Sequence, residues 1–365
     1  MDIPRLQIGQ WEFSLPLVSG GMGVRVSGWP LVSAVAAEGC LGTLTSMGMG
    51  DLTHGMSIED FIRTSNEALQ QEIGLLQAHT DRPFAVNVMG ALLNPKELIA
   101  TAVNAGVKII VYGAGIPSTL PAQVEDPGVS LVPIISSARL AVIILKQWRR
   151  YGRWPDAFII EGPLAGGHLG FSFEQLAHIE DFTLESILRE TLEVIRPYEQ
   201  VAGRKIPLIV AGGIYTGDDI ALMLSLGASG VQMGTRFVAT IECPVSDEFK
   251  QAYVQAGPGD VRIIKSPVGM PGRVIANDFL ARLVSGHIPK PRCPFHCIPS
   301  CERDAAGFCI AERLDNSLKG DTVNGLIFCG ANVPRIDRIM TVHELVSELM
   351  EGLRASPLTI DRAAG

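Results

Sequence analysis

The sequence predicts an α/β protein with a (β/α)8 TIM barrel, because short apolar segments alternate with helical patterns along most of the chain. Each apolar segment is nearly continuous, which is typical of a strand that is buried on both faces. Eight such segments occur: LPLVS from residue 15, LGTLT from 41, FAVNV from 84, KIIVY from 108, SLVPII from 130, AFII from 157, PLIVA from 207 and GVQMG from 230. A doubly wound open sheet has the same alternation and is the alternative fold.

The segments between these strands carry helix end signals. Asn94 followed by Pro95 predicts the N-cap and first residue of one helix. Thr216 predicts the N-cap of the helix that follows the seventh strand. Asp218 and Asp219 lie in the first turn of that helix, where acidic side chains complement the helix dipole. We therefore interpret this acidic pair as helix-terminal residues and not as a metal site.

The pattern changes after residue 240, which predicts a change of domain. We predict a barrel over residues 1–240, a helical extension packed on it over 241–288, and a Cys-rich C-terminal segment over 289–365. Within the extension, the helical stretches are expected around 245–256 and 273–285. The fold class is therefore a barrel with a small appended C-terminal subdomain.

Composition excludes several functional classes. Hydrophobic residues make up 47% of the 365 residues and charged residues 19%, which predicts a large buried core. The net charge of −8 argues against a nucleic-acid partner and against an anionic membrane surface. No apolar run approaches the ~18 residues of a membrane span, and the N-terminus lacks signal-peptide features. Seven cysteines without an export signal predict a cytoplasmic protein with reduced thiols.

Two glycine-containing loops follow the seventh and eighth predicted strands. Gly212 and Gly213 allow the backbone to approach an anion closely, and Gly234 and Thr235 repeat this pattern on the next strand. In (β/α)8 barrels these two loops commonly bind phosphate, so we predict a phosphate site here. Arg236 is expected either to balance the anion or to pair with an acid. The alternative is that the glycines only turn the chain.

Small residues also follow the first predicted strand, in the motif SGGMG at residues 19–23. They leave room for a large flat ligand at the end of the barrel where active sites lie. Asn87 follows the third apolar segment and is expected to direct its amide at a ring edge or to stabilise the loop. The loop 45–60, which contains His54, is long for a barrel and predicts a lid.

The motif EGPLAGGHLG at residues 161–170 follows the sixth strand. Gly166 and Gly167 are expected to let this loop pass close to a planar cofactor. His168 would then project into the pocket, where an imidazole can hold or move a proton near neutral pH. A structural histidine is the alternative.

These motifs resemble those of the nitronate monooxygenase family, formerly called 2-nitropropane dioxygenases, and of the related flavin-dependent enoyl-acyl-carrier-protein reductases. The resemblance covers residues 15–285 and rests on PLVSGGMG, FAVNV, EGPLAGGHLG, IVAGGIYTGDDIALMLSLGASGVQMGTRFVAT and KSPVGMPGR. It implies an FMN-binding (β/α)8 barrel.

The resemblance also implies roles for individual residues. Gly21 and Met22 would face the reactive edge of the isoalloxazine, Asn87 and Glu161 would help to hold the flavin, and His168 matches the family's active-site histidine. The residues implied to bind the cofactor are Gly21, Met22, Asn87, Glu161, Gly166, Gly167, Gly212, Gly213, Gly234 and Thr235.

Two reactions follow from the resemblance. A nitronate monooxygenase would oxidise an alkyl nitronate to a carbonyl compound and nitrite. An enoyl thioester reductase would use NAD(P)H and FMN to reduce a double bond, and SPVGMPGR favours this branch. A non-enzymatic sensor, which would signal through the C-terminal segment, is a third possibility. In each enzymatic case the partner is a small-molecule substrate.

Four cysteines lie within 17 residues, in a spacing that matches neither a zinc ribbon nor a ferredoxin motif. They are Cys293, Cys297, Cys301 and Cys309. Closely spaced thiolates favour a [4Fe–4S] cluster, with zinc and reduced structural thiols as alternatives, and His296 could replace one ligand. A cluster would allow an electron-donor protein to supply a reductase that works without air. We also predict that the added segment could form a homodimer. Cys329 follows an apolar run and predicts a buried thiol.

Overall fold

The computed structural model describes residues 3–50, 57–288, 293, 297–301 and 306–358. The strands are β1 (Leu6–Ile8), β2 (Trp11–Phe13), β3 (Leu17–Ser19), β4 (Thr43–Thr45), β5 (Ala85–Met89), β6 (Ile109–Gly113), β7 (Ser130–Ile135), β8 (Phe158–Glu161), β9 (Gly167–His168), β10 (Leu208–Ala211), β11 (Gly230–Met233), β12 (Val261–Lys265) and β13 (Pro271–Ile275). The helices are α1 (Trp29–Ala37), α2 (Ile58–His79), α3 (Pro95–Asn104), α4 (Leu120–Gln123), α5 (Ala138–Trp148), α6 (Phe173–Ala177), α7 (Leu184–Ala202), α8 (Gly217–Ser225), α9 (Thr235–Val238), α10 (Asp247–Gln255), α11 (Asp278–Val284), α12 (Ile310–Leu318) and α13 (Val342–Ala355).

Eight parallel strands form the barrel, in the order β3-β11-β10-β8-β7-β6-β5-β4. The remaining gap between β3 and β4 is bridged by backbone hydrogen bonds. Ser19 N donates to Leu41 O at 2.9 Å, and Leu41 N donates to Leu17 O at 3.0 Å. All eight predicted strands are present and the predicted (β/α)8 barrel is confirmed, so the open-sheet alternative is wrong.

The barrel interior is built from alternate residues of each strand, because successive side chains of a strand point to opposite faces. Ile109 and Val111 of β6 pack inside, whereas Ile110 between them belongs to the core outside the strands. The antiparallel pair β1–β2 places Leu6 and Ile8 in the same interior cluster. This pair, which lies at the N-terminus of the chain, therefore contributes side chains to the barrel interior.

The secondary structure predicted after residue 240 is partly wrong, because a small antiparallel sheet forms there. The helix expected around 245–256 is present as α10, but the stretch expected around 273–285 begins as β13 and becomes helical only at α11. β13 pairs with β12 on one side and with β9 on the other. Backbone pairing with β9, about a hundred residues earlier in the chain, stabilises the extended conformation of β13. The local sequence pattern, which favours a helix, contains no information about this distant pairing.

The C-terminal helix α13 packs against α1 and α8 of the barrel. The contact with α8 is close, because a Cβ on Gly217 would lie 2.2 Å from Leu353 N. Arg236, next to β11, forms an ion pair with Glu348 of α13 at 2.9 Å. The sequence analysis assigned residues 289–365 to a Cys-rich segment without predicting a helix there, and α13 packs beside the barrel helices α1 and α8. None of the described helices has the length and apolar character that crossing a bilayer requires.

Candidate functional site

A cavity of about 420 Å³ opens at the carboxyl ends of the barrel strands. (β/α)8 barrels carry their ligand sites at this end, and the volume lies in the range of small-molecule sites. The predicted cofactor-binding residues and the predicted catalytic histidine all line it: Gly21, Met22, Asn87, Glu161, Gly166, Gly167, His168, Gly212, Gly213, Gly234 and Thr235. The structure therefore brings together residues from the ends of five strands.

The loop after β10 forms one wall through its glycines. Gly212 and Gly213 have φ angles of 98° and 87°, in the left-handed region that favours glycine. A Cβ on Gly212 would lie only 2.8 Å from Ala165 N, in the loop after β8. Glycine is therefore required for these two backbones to meet beside the cavity.

The N-terminus of α8 lies next to this wall, and three amides around it are already paired. Asp219 accepts hydrogen bonds from Tyr215 N at 2.9 Å and from Thr216 N at 2.8 Å, and Thr216 Oγ1 accepts from Asp219 N. This reciprocal arrangement confirms Thr216 as the N-cap. The amides of Tyr215, Thr216 and Asp219 are therefore not available to an anion at this wall, which would contact the preceding glycine backbone.

The segment 328–332 completes the cavity from the far part of the chain, and the sequence prediction missed it. Gly330 N donates to Thr235 Oγ1 at 2.9 Å, and Asn332 Nδ2 donates to Gly213 O at 2.6 Å. Gly330 and Asn332 line the cavity. The available signal was a glycine that directly follows the apolar run GLIFC. Cys329 in this run is buried, as predicted, and burial raises its pKa to about 12.

Three polar side chains line the cavity and have no partner within the described part of the chain. Asn87, Glu161 and Gln232 lie on β5, β8 and β11, and Asn87 and Gln232 are only 7% and 8% exposed. None of the three side chains makes a hydrogen bond or ion pair with the part of the chain that the structure describes. Burial raises the pKa of Glu161 to about 7. Gln232 was not predicted, although a polar residue inside the apolar segment GVQMG was the signal.

His168 lies on β9 and lines the same cavity. Its Nε2 lies 2.8 Å from Ser266 Oγ, and its ring meets the ring of Phe328 edge-on at 4.9 Å. Burial lowers the pKa of His168 to about 4, so the imidazole is neutral near pH 7. Ser266 lies within the motif KSPVGMPGR, but nothing in its spacing indicated a contact with His168.

Two buried arginines hold the loops around the cavity. Arg273 donates to Pro163 O at 2.9 Å and also to Ala165 O, which fixes the loop after β8. Arg236 pairs with Glu348 and lies over the ring of Tyr215, with 4.4 Å from its guanidinium carbon to the ring centre. Of the two roles expected for Arg236, the structure therefore supports pairing with an acid.

Apolar side chains line the rest of the cavity. They include Met22, Met47, Met89, Ile116, Ile134, Leu140 and Met270. Methionine side chains adapt to ligands of different shape. This part of the cavity therefore suits the apolar portion of a substrate.

The four cysteines predicted as metal ligands lie near one another, in the chain between β11 and α13. Cys297 is buried and the other three are partly buried: Cys293, Cys301 and Cys309. Burial, together with the charges of the other three thiols, raises the pKa of Cys297 to about 12. Within the described ranges, however, no three His, Cys, Asp or Glu side chains form a metal-binding group. The metal assignment stays a prediction, and His296 and His54 lie outside the described residues.

The fold and the cavity together define a ligand-binding (β/α)8 barrel with a glycine-lined wall and a neutral histidine. The comparison with protein families is specific: the chain belongs to the nitronate monooxygenase family, whose model matches residues 7–352. The family prediction made from the motifs is thereby confirmed.

Similar proteins carry two kinds of name. The chain is 32% identical to (3aS,4S,5R,7aS)-5-hydroxy-7a-methyl-1-oxo-octahydro-1H-indene-4-carboxyl-CoA dehydrogenase of Mycobacterium tuberculosis, over 74% of this chain and 66% of that protein. It therefore spans just under two thirds of that relative. It is 27% identical to a probable nitronate monooxygenase of Staphylococcus saprophyticus, over 75% of this chain and 79% of that one. Among solved structures, FabK from Thermotoga maritima shares the fold, with a TM-score of 0.71, 24% identity, and coverage of 94% and 93% of the two chains.

Proposed function

We propose that the protein is an FMN-dependent oxidoreductase of the nitronate monooxygenase type, which uses molecular oxygen to convert alkyl nitronates into carbonyl compounds and nitrite. One observation carries the proposal. The side chains of Asn87, Glu161 and Gln232, on β5, β8 and β11, line one cavity and have no hydrogen-bond partner among the described residues; Asn87 and Gln232 are buried and Glu161 is partly buried. Buried polar groups are nearly always paired in folded proteins, so these three are expected to bind a ligand.

The residues around the cavity fit a flavin mononucleotide. The glycine backbone at residues 212–213, together with Gly234 and Thr235, is the proposed phosphate site. Thr235 Oγ1 already accepts from Gly330 N, which leaves its hydroxyl hydrogen free to donate to an anion. At Gly167 no atom lies within 4 Å of the position of a Cβ, so the cavity wall is clear there. Bound FMN would supply the electron transfer that side chains cannot perform.

The chain's own residues would bind and orient the substrate. His168, neutral near pH 7, would hydrogen-bond to an oxygen of the nitronate. The apolar side chains would bind the alkyl portion and exclude water, which strengthens that hydrogen bond. Arg273 would keep the loop that carries His168 in place through its bonds to Pro163 and Ala165.

Anaerobic stopped-flow absorbance of the purified protein tests this proposal. An alkyl nitronate should bleach the flavin absorbance, and nitrite should form when air is admitted. The variant H168A should react more slowly by about 10²-fold and retain its flavin. Flavin that a nitronate does not bleach would contradict the proposed reaction, and loss of flavin from H168A would make the histidine structural.

An enoyl thioester reductase that uses NAD(P)H is the second candidate. It is favoured by the relative that is named as a carboxyl-CoA dehydrogenase, because that name specifies a thioester of coenzyme A. In the same stopped-flow experiment, NADPH would bleach the flavin and an enoyl thioester would restore its colour. The sensor alternative requires that neither NADPH nor a nitronate reduces the flavin.

The predicted [4Fe–4S] cluster, with zinc as the alternative, is a separate question. The described thiols lack the geometry of a metal site, so no step of the reaction is assigned to a cluster. Iron and sulfide analysis after anaerobic purification, compared with C297S, tests the prediction. Iron in the wild type that is lost in C297S would support it and would favour a reductase with an electron-donor protein; absence of iron from both would exclude it. The predicted homodimer and the predicted cytoplasmic location also remain to be tested.

A further inference from the structure

The hydrogen bond between His168 and Ser266 constrains which ring nitrogen carries the proton. Ser266 is only 2% exposed, so its hydroxyl group is largely removed from bulk water. Its Oγ already accepts from Val268 N at 3.4 Å. The remaining neighbour is His168 Nε2 at 2.8 Å. Ser266 Oγ makes no other hydrogen bond within the described ranges.

A buried hydroxyl hydrogen without an acceptor is costly. Ser266 satisfies this requirement only if it donates to His168 Nε2, which must then be unprotonated. The single proton of the neutral ring lies in that case on Nδ1. Nδ1 makes no hydrogen bond with the described part of the chain, and His168 lines the cavity. The free nitrogen is therefore the one that a ligand can reach.

We propose that Ser266 is a positioning residue that holds His168 as the neutral Nδ1–H tautomer, so that Nδ1–H is the donor offered to a substrate oxygen. The substrate part of this inference rests on the proposed function, whereas the tautomer does not. A donor at Nδ1 suits an oxygen that is already negatively charged or strongly polarised. It does not supply a base at that nitrogen.

The fold explains how Ser266 reaches a histidine 98 residues earlier in the chain. β12 and β13 form a hairpin whose turn begins at Ser266, since Gly269 N donates to Ser266 O at 2.9 Å. β13 also pairs with β9, where Gly272 lies opposite His168. The three strands thus fix the backbones of both residues, and the edge of Phe328 limits the rotation of the imidazole.

Nitrogen-15 NMR of the oxidised holoprotein, labelled at histidine, tests the tautomer directly. Long-range proton–nitrogen correlations distinguish a protonated ring nitrogen from an unprotonated one. The signals of His168 among the seven histidines are identified by their loss in H168Q. We expect protonated Nδ1 and unprotonated Nε2 in the wild type and in S266T, which keeps the hydroxyl. S266A should show a mixture of both tautomers.

Protonated Nε2 in the wild type would overturn the proposal, and so would an unmixed Nδ1–H tautomer in S266A. S266A should also lower kcat/KM about fivefold, the size expected for the loss of one hydrogen bond, with unchanged flavin content and with rescue by S266T. The NMR result does not depend on turnover. Failure of the nitronate reaction with an intact Nδ1–H signature would therefore contradict the proposed function and leave this inference standing.

Discussion

At the scale of single residues, the fold raises the pKa of Glu161, and this change can be measured as a pH dependence of stability. Its carboxyl group ends β8, lines the cavity and has no partner in the described ranges. Burial alone raises its pKa to about 7 from a usual value of 4.5. Without a bound ligand, the folded protein therefore retains a proton that the unfolded chain releases between these two pH values.

This difference predicts how the stability of the flavin-free protein depends on pH. The folded state binds more protons than the unfolded state between pH 4.5 and about 7, so the free energy of unfolding falls as pH rises through this window. E161Q lacks the titrating group. Its gain in stability over the wild type should grow from near zero at low pH to on the order of 2 kcal/mol above about pH 7.

Urea denaturation of both proteins across this window measures the effect. His168, whose pKa is lowered to about 4, contributes an opposite trend, with stability lost as pH falls from 6.5 towards 4. That trend is common to both proteins and cancels in their difference. E174Q, at an exposed site in α6, is the matched control. A difference between E161Q and wild type that is independent of pH would contradict the assignment.

Arg273 gives a second prediction at this scale. Its buried guanidinium donates to the carbonyls of Pro163 and Ala165, and burial lowers its pKa. R273Q should lower the free energy of unfolding by about 2–3 kcal/mol, because the buried carbonyls lose charge-assisted hydrogen bonds. It should also reduce flavin content, since the loop after β8 is released. R262Q, on the exposed side of β12, should change stability by less than about 0.5 kcal/mol. Equal effects of the two variants would show that Arg273 does not hold the loop.

At the scale of elements, the loop after β10 combines a backbone requirement with a close contact. A Cβ on Gly212 would lie 2.8 Å from Ala165 N, in addition to the positive φ. We expect G212A to lose most of its bound flavin, because the loops after β8 and β10 must separate. G203A is the control, since Gly203 has a φ of 68° at the end of α7 with no atom within 4 Å of a Cβ.

G203A should cost about 1–2 kcal/mol of stability from the left-handed backbone alone and retain its flavin. Absorbance of the purified proteins gives the flavin content, and fluorescence titration of the flavin-free proteins gives the dissociation constant. If G212A binds flavin as tightly as G203A does, the glycine wall is not part of the cofactor site.

Prediction of the elements succeeded where a local pattern was sufficient. Each barrel strand was visible as an apolar run, and Thr216 was visible as a helix cap. The sheet β12–β13–β9 was not visible, because β9 is only two residues long and its partner β13 is distant in the chain. Short strands carry no periodicity of their own.

At the scale of the whole molecule, α13 completes the helical ring of the barrel after an excursion of about a hundred residues. Gly217 of α8 permits this, because a Cβ there would lie 2.2 Å from Leu353 N. G217A should therefore push the two helices apart and lower the free energy of unfolding of the whole protein by more than about 2 kcal/mol.

G74A is the matched control for this variant. Gly74 lies inside α2 with no atom within 4 Å of a Cβ, so alanine there should stabilise the protein by about 0.5–1 kcal/mol. Chemical denaturation followed by circular dichroism measures both changes. If G217A leaves the main unfolding transition unchanged, the C-terminal helix unfolds independently of the barrel.

The sequence by itself determined the eight strands, the glycine loops and His168, because each is encoded by residues that are adjacent or regularly spaced. Only the tertiary structure decided that Ser266 bonds to His168, that Gly330 bonds to Thr235 and that α13 belongs to the barrel. The first two pairs are 98 and 95 residues apart. A contact over such a separation depends on how whole strands and loops pack, and no local pattern of residue types specifies that packing.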